Sequence, residues 1–336
     1  MLLIAAVPLL GEAQDPSVLG RAQAELDRGN LTEAAALLRK ALEVDSKNKS
    51  AHVALVDALM RSGHGVEAAA AAQSAQRQFP GDGGVTYVAA AVALGTGRFE
   101  EASRLAKQSL AEGNQRAEVF KLLAMSRFLA GDAEGFYEHI QAAIERDPNS
   151  ADSHYHLGRY YFEKKMYTPA IESFGRTSRL DPDHYKASYF TGLSQQGSGE
   201  GEAAEKSLRK AIEIIDRRKI RYGWPFADLG EFLTQRGRLD DGLGWLYRGT
   251  RNDPGLPYTH LKYAMALLQK EPGAEVQREI ETALKLDPAY TEAYYQLGRY
   301  YSKTGQPDLA REAFAKFQEL RNNPKPSPAG VRRQQP

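Results

Sequence analysis

Apolar residues along this chain recur at spacings of three and four, the mark of helices with one buried stripe. Turn signals cut the stripes into short segments, and the cuts fall at a fixed interval. A small residue in segments such as GRFEEASRLAKQSL marks the register. Ala34, Ala68, Ala102, Phe136, Ala170 and Ala204 stand thirty-four residues apart, and after one shift of four so do Gly242, Val276 and Ala310. Five residues before the marker sits a turn, with glycine at 29, 63, 97, 131, 199, 237 and 305, the residue that most readily takes the left-handed conformation ending a helix. Twelve residues after the marker, proline at 80, 148, 182, 254 and 288 closes the second helix, because it lacks an amide hydrogen and clashes with the preceding turn. Four of these are Asp-Pro, where aspartate caps the turn.

The pattern predicts two helices per unit and nine units over residues 15–324: repeats 1–6 over 15–218, an insertion at 219–222, and repeats 7–9 over 223–324. One such hairpin cannot bury its own stripe, so the units must stack into a continuous core. Gly158, Gly192, Gly230 and Gly298 lie within first helices, twelve residues before the marker. Glycine there costs about 1 kcal/mol of helix propensity, tolerable where the second helix presses close.

Tyr155 with Leu157, Gly158, Tyr161, Ala170, Phe174 and Pro182 resembles the tetratricopeptide repeat, and Tyr295 with Leu297, Gly298, Tyr301, Ala310 and Phe314 repeats the likeness. The resemblance spans about 310 of 336 residues. Repeat 4, with Phe136 at the marker, and repeat 8, with Val276 there and Glu271 for the turn glycine, are the weaker copies. The resemblance implies an all-α fold: a right-handed superhelical solenoid of tandem antiparallel helix pairs, its first helices lining a concave groove. It also implies an interaction function, a protein or peptide held in that groove, with no chemistry of its own.

By the same resemblance the groove faces are unit positions 2, 5, 6, 9, 12 and 13. Repeats 1–4 place mainly aliphatic or small residues there, with Tyr87 and Phe128 as exceptions. Repeats 5–9 place Tyr155, His156, Arg159, Phe162, Lys186, Tyr189, Phe190, Trp224, Asp228, Glu231, Tyr258, Lys262, Tyr295 and Arg299. Seven of the 31 aromatic residues precede residue 151 and 24 follow it. Aromatics and arginine on an open surface are the usual composition of binding hot spots, which makes repeats 5–9 the expected partner surface. Core packing is the competing reading of the same aromatics.

Charge and chemistry narrow the function. Lys and Arg number 44 against 43 Asp and Glu. Removing the four basic residues among the last sixteen leaves 40 against 43. This argues against a nucleic-acid partner, since such binding displaces counterions with bulk positive charge. Cysteine is absent, which excludes disulfides, thiol nucleophiles and thiolate metal sites. Of the seven histidines, His154 and His156 are closest, but two residues apart on a helix they point about 160° from each other. No phosphate loop, HExxH or GxSxG motif occurs. No metal, cofactor or catalytic residue is expected, and the chain reads as a non-enzyme. The densest basic run inside the array is Arg217, Arg218, Lys219 and Arg221, at the insertion; a solvated loop is its plainest reading.

The ends differ from the array. Residues 2–10 read LLIAAVPLL. The run is too short to span a bilayer, which takes about 20 residues, and resembles the apolar region of a secretory signal peptide, with cleavage after Ala13. Residues 1–14 are therefore expected to be an export signal or an apolar N-terminal segment, and the chain periplasmic or secreted; cytoplasmic is the alternative. Residues 325–336 form a basic, proline-rich tail. Self-association through the repeat ends is a further expectation. Two other roles are open: a structural or assembly component of a cell-envelope or secretion complex, and a regulatory subunit of an enzyme whose catalytic chain is separate.

Overall fold

The computed structural model describes residues 18–326. The apolar run at 2–10 and most of the basic tail lie outside the described residues. Eighteen helices fill the described chain, with no strand among them, and the chain divides into two compact units, the first ending at Ser153 and the second starting at His154.

The first unit stacks four helix pairs: α1 (Val18–Arg28) with α2 (Leu31–Val44), α3 (Lys49–Arg61) with α4 (Gly65–Gln78), α5 (Gly83–Gly95) with α6 (Phe99–Ala111), and α7 (Ala117–Leu129) with α8 (Ala133–Arg146). In the second unit α9 (Ala151–Glu163), whose first three residues belong to the first unit, precedes α10 (Tyr167–Leu180). Four pairs follow: α11 (Tyr185–Gly197) with α12 (Gly201–Arg218), α13 (Trp224–Gln235) with α14 (Leu239–Asn252), α15 (Pro257–Lys270) with α16 (Ala274–Leu286), and α17 (Thr291–Lys303) with α18 (Pro307–Asn322). Within each unit the odd helices touch one another, α3 with α5 and α5 with α7, then α13 with α15 and α15 with α17.

The turns follow the sequence logic. All seven turn glycines have φ between +71° and +86°. Repeat 5 has Lys165 in that role, left-handed at φ +58°. In repeat 8, Glu271 is extended instead, with φ −159°. Three of the four Asp-Pro aspartates cap as expected: Asp147, Asp181 and Asp287 accept the amide hydrogen of the residue two further on at 3.0–3.1 Å, whereas the Asp253 carboxylate accepts from Arg221 instead.

Repeat 6 departs from the expected loop. There α12 runs to Arg218 and is 18 residues long against 14 in α10. The additional residues extend the helix, and Lys219 ends it with φ +53°. Arg217 pairs with Asp183, and Arg221 reaches Asp253 at 2.7 Å. The Tyr222 amide donates to Asn252 Oδ1 at 2.8 Å, and Asn252 Nδ2 donates to the Ile220 carbonyl at 2.9 Å. The segment after α12 is thus tied to the end of α14.

Marker residues Ala34, Ala68, Ala102, Phe136, Ala170, Ala204, Val276 and Ala310 are all buried. The side chain pressing on each first-helix glycine sits four residues after the marker. A Cβ on Gly158 would meet the Phe174 ring at 2.6 Å, on Gly192 the Leu208 Cγ at 2.8 Å, on Gly230 the Leu246 Cγ at 2.5 Å, and on Gly298 the Phe314 ring at 2.6 Å. Helix propensity is lost there because the two helices pack through the missing side chain.

Candidate interaction face of the second unit

Six of the fourteen expected groove residues are not at an open surface. Tyr155, Arg159, Tyr189, Phe190, Trp224 and Asp228 are at most 5% exposed, and the apolar ones belong to one core cluster with Phe174, Leu208 and Ile212. The cause is ring size on closely stacked helices. Tyr155 packs 4.7 Å from the His184 ring and 5.9 Å from Phe174, Tyr189 sits 5.0 Å from Phe190, and Trp224 stacks on Tyr258 at 4.5 Å with 29° between planes. For these six, core packing describes the environment. His156, Phe162, Lys186, Glu231, Tyr258 and Lys262 are half-buried, and Tyr295 and Arg299 are exposed.

A polar network joins several of them. The Asp228 carboxylate accepts from the phenols of Tyr189 and Tyr258, the latter at 2.8 Å. Glu231 accepts from Lys262 Nζ at 2.9 Å, and its other oxygen lies 3.3 Å from the Tyr258 phenol oxygen. Lys262 also lies 5.3 Å from the Tyr258 ring centre, within cation–π range. Tyr258 is thereby held between a stacked indole, two carboxylates and a cation, and both acids have partners.

On α9 the arrangement differs. Arg159 lies over the Phe190 ring at 4.3 Å. Its Nη1 donates to the Tyr155 phenol at 3.3 Å and its Nη2 to Glu163 at 3.2 Å. The Glu163 contact is long beside the 2.7–2.9 Å usual when donor and acceptor are charged, the phenol contact is longer than the usual N–H···O bond, and Arg159 Nε is buried without a hydrogen-bond partner among the described residues.

Tyr295 and Arg299 stand apart from both clusters. Tyr295 packs on Phe314 and Phe317 of α18 at 5.9 and 5.3 Å, and Arg299 donates to Gln296 on its own helix.

Position counting missed Tyr185 and Tyr222. Their rings meet edge-on at 5.3 Å, and Tyr222 meets Tyr189 at 6.0 Å. Burial foremost, then the phenols of Tyr155 and Tyr185, raises the Tyr222 pKa above the ordinary tyrosine value. Tyr222 is the last insertion residue, outside the thirty-four-residue register; its aromatic character was the only available signal. The first unit presents a different wall. α5 reads GGVTYVAAAVALG and buries eleven of its thirteen residues, with Tyr87 its single aromatic.

Among the described residues no three His, Asp or Glu side chains gather into a metal site, and no helix is long and apolar enough to cross a membrane.

Stacked helix pairs, four of them packed through a glycine on one helix and a large side chain on the other, define a helical-repeat solenoid. Models of the tetratricopeptide repeat match residues 19–83, 59–125, 151–184 and 279–312. The chain belongs to the tetratricopeptide-repeat family. It is similar to Superkiller complex protein 3 of Homo sapiens, 26% identical over 232 residues, and to Tetratricopeptide repeat protein 37 of Xenopus laevis, 26% identical over 231. The matches take in 67% and 66% of this chain but only 15% and 14% of those proteins. Among solved structures, the APC/C hetero-tetramer Cut9-Hcn1 superposes with a TM-score of 0.59 at 17% identity, covering 88% of this chain and 55% of that one. An IFIT1 monomeric mutant with Gppp-AAAA gives 0.53 at 16%, covering 90% and 71%. These two likenesses concern the fold. The family's fold implies protein partners, so a protein-interaction role follows for this chain.

Proposed function

We propose that the chain is a non-catalytic scaffold that binds a protein or peptide on the odd-helix wall of its second unit, in repeats 5–9. The observation that carries this reading is the fixed set of aromatic and charged side chains around the half-buried Tyr258. Trp224, Asp228, Glu231 and Lys262 hold that ring in place before any partner arrives. Preorganised side chains lose less entropy on binding.

The test uses the residues that have accessible surface. Tyr155, Tyr189 and Trp224 are poor probes, because their burial means alanine there attacks the core. Phe162→Ala, Lys262→Ala and Tyr295→Ala combined remove accessible groups from three helices. Crosslinked affinity capture from native extract, wild type beside this triple variant, should show a partner held by the first and lost by the second, with the variant's helical circular dichroism intact. Equal capture by both would refute the groove assignment.

A second reading is a subunit of a larger assembly. It is favoured by the similarity to a protein whose name places it in a complex, and it predicts that the triple variant changes nothing while outer-helix substitutions do. Export remains our reading of residues 1–13, and mass spectrometry of the mature N-terminus tests it: an intact Met1 would refute cleavage.

A further inference from the structure

We infer that Arg159 is the docking point for an acidic side chain of the partner, and that Glu163 is an internal placeholder for that carboxylate. The inference rests on the groove reading above and adds the chemistry of one contact.

The argument is one of unmatched hydrogen-bonding capacity. A guanidinium carries five N–H donors in a planar fork and cannot shed its charge. Arg159 is 5% exposed, and a buried charge is costly unless paired and hydrogen-bonded. Two of its donors are used, both at long distance, one on a neutral phenol and one on Glu163. Nε has no partner among the described residues. Nε and Nη2 form the side-on edge of the fork that takes a carboxylate with two parallel bonds. Here that edge meets one oxygen at 3.2 Å on Nη2 and nothing on Nε. The carboxylate touching it belongs to a side chain 40% exposed, whereas the Arg159 side chain is 6% exposed. Glu163 is thus the solvent-facing member of the pair, and a partner carboxylate would reach the edge by displacing it.

Charge complementarity points the same way. At Asp228 and Glu231 the acids are satisfied by two phenols and a lysine. At Arg159 the cation is not. The incomplete half of the wall demands a negative group, and a partner carboxylate making both bonds would replace one long bond by two.

The test measures fluorescence anisotropy with the full chain at low ionic strength. Three N-terminally fluorescein-labelled probes are used: pentaglutamate with an amidated C-terminus, pentaglutamine amide, and pentaglutamine with a free C-terminus. The wild type should bind pentaglutamate about tenfold more tightly than pentaglutamine amide, the scale of one charge-assisted pair. Arg159→Gln should abolish the difference, and Arg159→Lys should keep part of it, reporting charge without the fork. Glu163→Gln should tighten pentaglutamate severalfold by removing the competitor. Glu172→Gln, which deletes the same charge from an exposed position on α10, should change nothing.

A merely structural Arg159 would not give a gain of affinity on Glu163→Gln. Failure of that gain, an equal gain from Glu172→Gln, or undiminished discrimination in a folded Arg159→Gln protein would overturn the inference. Preference for the free-terminus probe alone would overturn the assignment to an acidic side chain. The capture experiment substitutes neither Arg159 nor Glu163, so its outcome judges the groove reading separately.

Discussion

Replacing Gly158 by alanine sets two effects of known sign against each other. Alanine in a helix interior is favoured over glycine by about 1 kcal/mol. The added methyl, however, would lie 2.6 Å from Phe174 Cε1 and 2.7 Å from Cδ1, where carbon atoms normally rest about 3.5–4.0 Å apart. Relief requires a shift of about 1 Å. The Phe174 ring is fully buried, stacked on Phe190 at 5.8 Å and flanked by Tyr155. Overpacking costs about 1–3 kcal/mol, and an aromatic ring held on both faces belongs at the upper end. We expect a net loss of about 1–2 kcal/mol.

A urea melt followed by tryptophan fluorescence is the assay, because both tryptophans, Trp224 and Trp245, lie in the second unit. With a slope near 2 kcal/mol/M the midpoint should fall by roughly 0.5–1 M. Gly298→Ala is the internal control: the clash is the same 2.6 Å, against Phe314, but Phe314 is half-buried on the last described helix and can yield, so its loss should be under about 1 kcal/mol. Phe174→Leu should rescue part of Gly158→Ala, giving a coupling of about 1 kcal/mol in a double-mutant cycle. A midpoint raised by Gly158→Ala, or equal losses at the two glycines, would refute close packing as the reason for glycine.

Two further predictions concern stability. Lys165 occupies at φ +58° the turn position that glycine fills elsewhere; the left-handed conformation costs a side-chain-bearing residue about 1–2 kcal/mol, partly offset by the larger unfolded-state freedom of glycine, so Lys165→Gly should stabilise by about 0.5 kcal/mol in the same melt, and a lowered midpoint would contradict this. His260 places Nδ1 2.6 Å from Glu279 Oε2 and Nε2 3.0 Å from the Pro254 carbonyl, two acceptors that together require both ring protons; burial pulls its pKa down, but the bonds to Glu279 and Pro254, with Glu279 and Asp253 charges, outweigh it and raise the folded value above 6.5. That contribution is complete below the unfolded pKa and is lost as pH rises through the folded one, so the stability advantage of wild type over His260→Gln should shrink from pH 6 to pH 9, and a pH-independent gap would argue against a charged ring.

What repeats was legible in the sequence, because each unit must solve the same packing problem. Gly29 through Gly305 predicted the left-handed turns, and the prolines predicted the ends of α8, α10, α14 and α16. The chemistry of the wall does not repeat and was only partly legible. Composition pointed to repeats 5–9, yet Tyr155, Tyr189 and Trp224 are core, because side-chain direction on a helix does not reveal how closely the next helix approaches. Tyr222 escaped notice for the opposite reason: it lies outside the register that made everything else readable.

The two units differ in how their odd helices spend side-chain volume. α5 fills its place with alanine and valine, residues that pack without directional demands. α9, α11 and α13 carry tyrosine, tryptophan, arginine and aspartate, whose polar tips each require a partner. Burying such groups adds little stability over an apolar wall of the same volume. It does fix orientation, since Tyr258 cannot turn without breaking its bond to Asp228 and losing its stack on Trp224. A wall built for stacking alone has no need of that fixity, whereas a wall that recognises a partner does. Arg159 is where the internal pairing stops short, and a partner's contribution would complete it there.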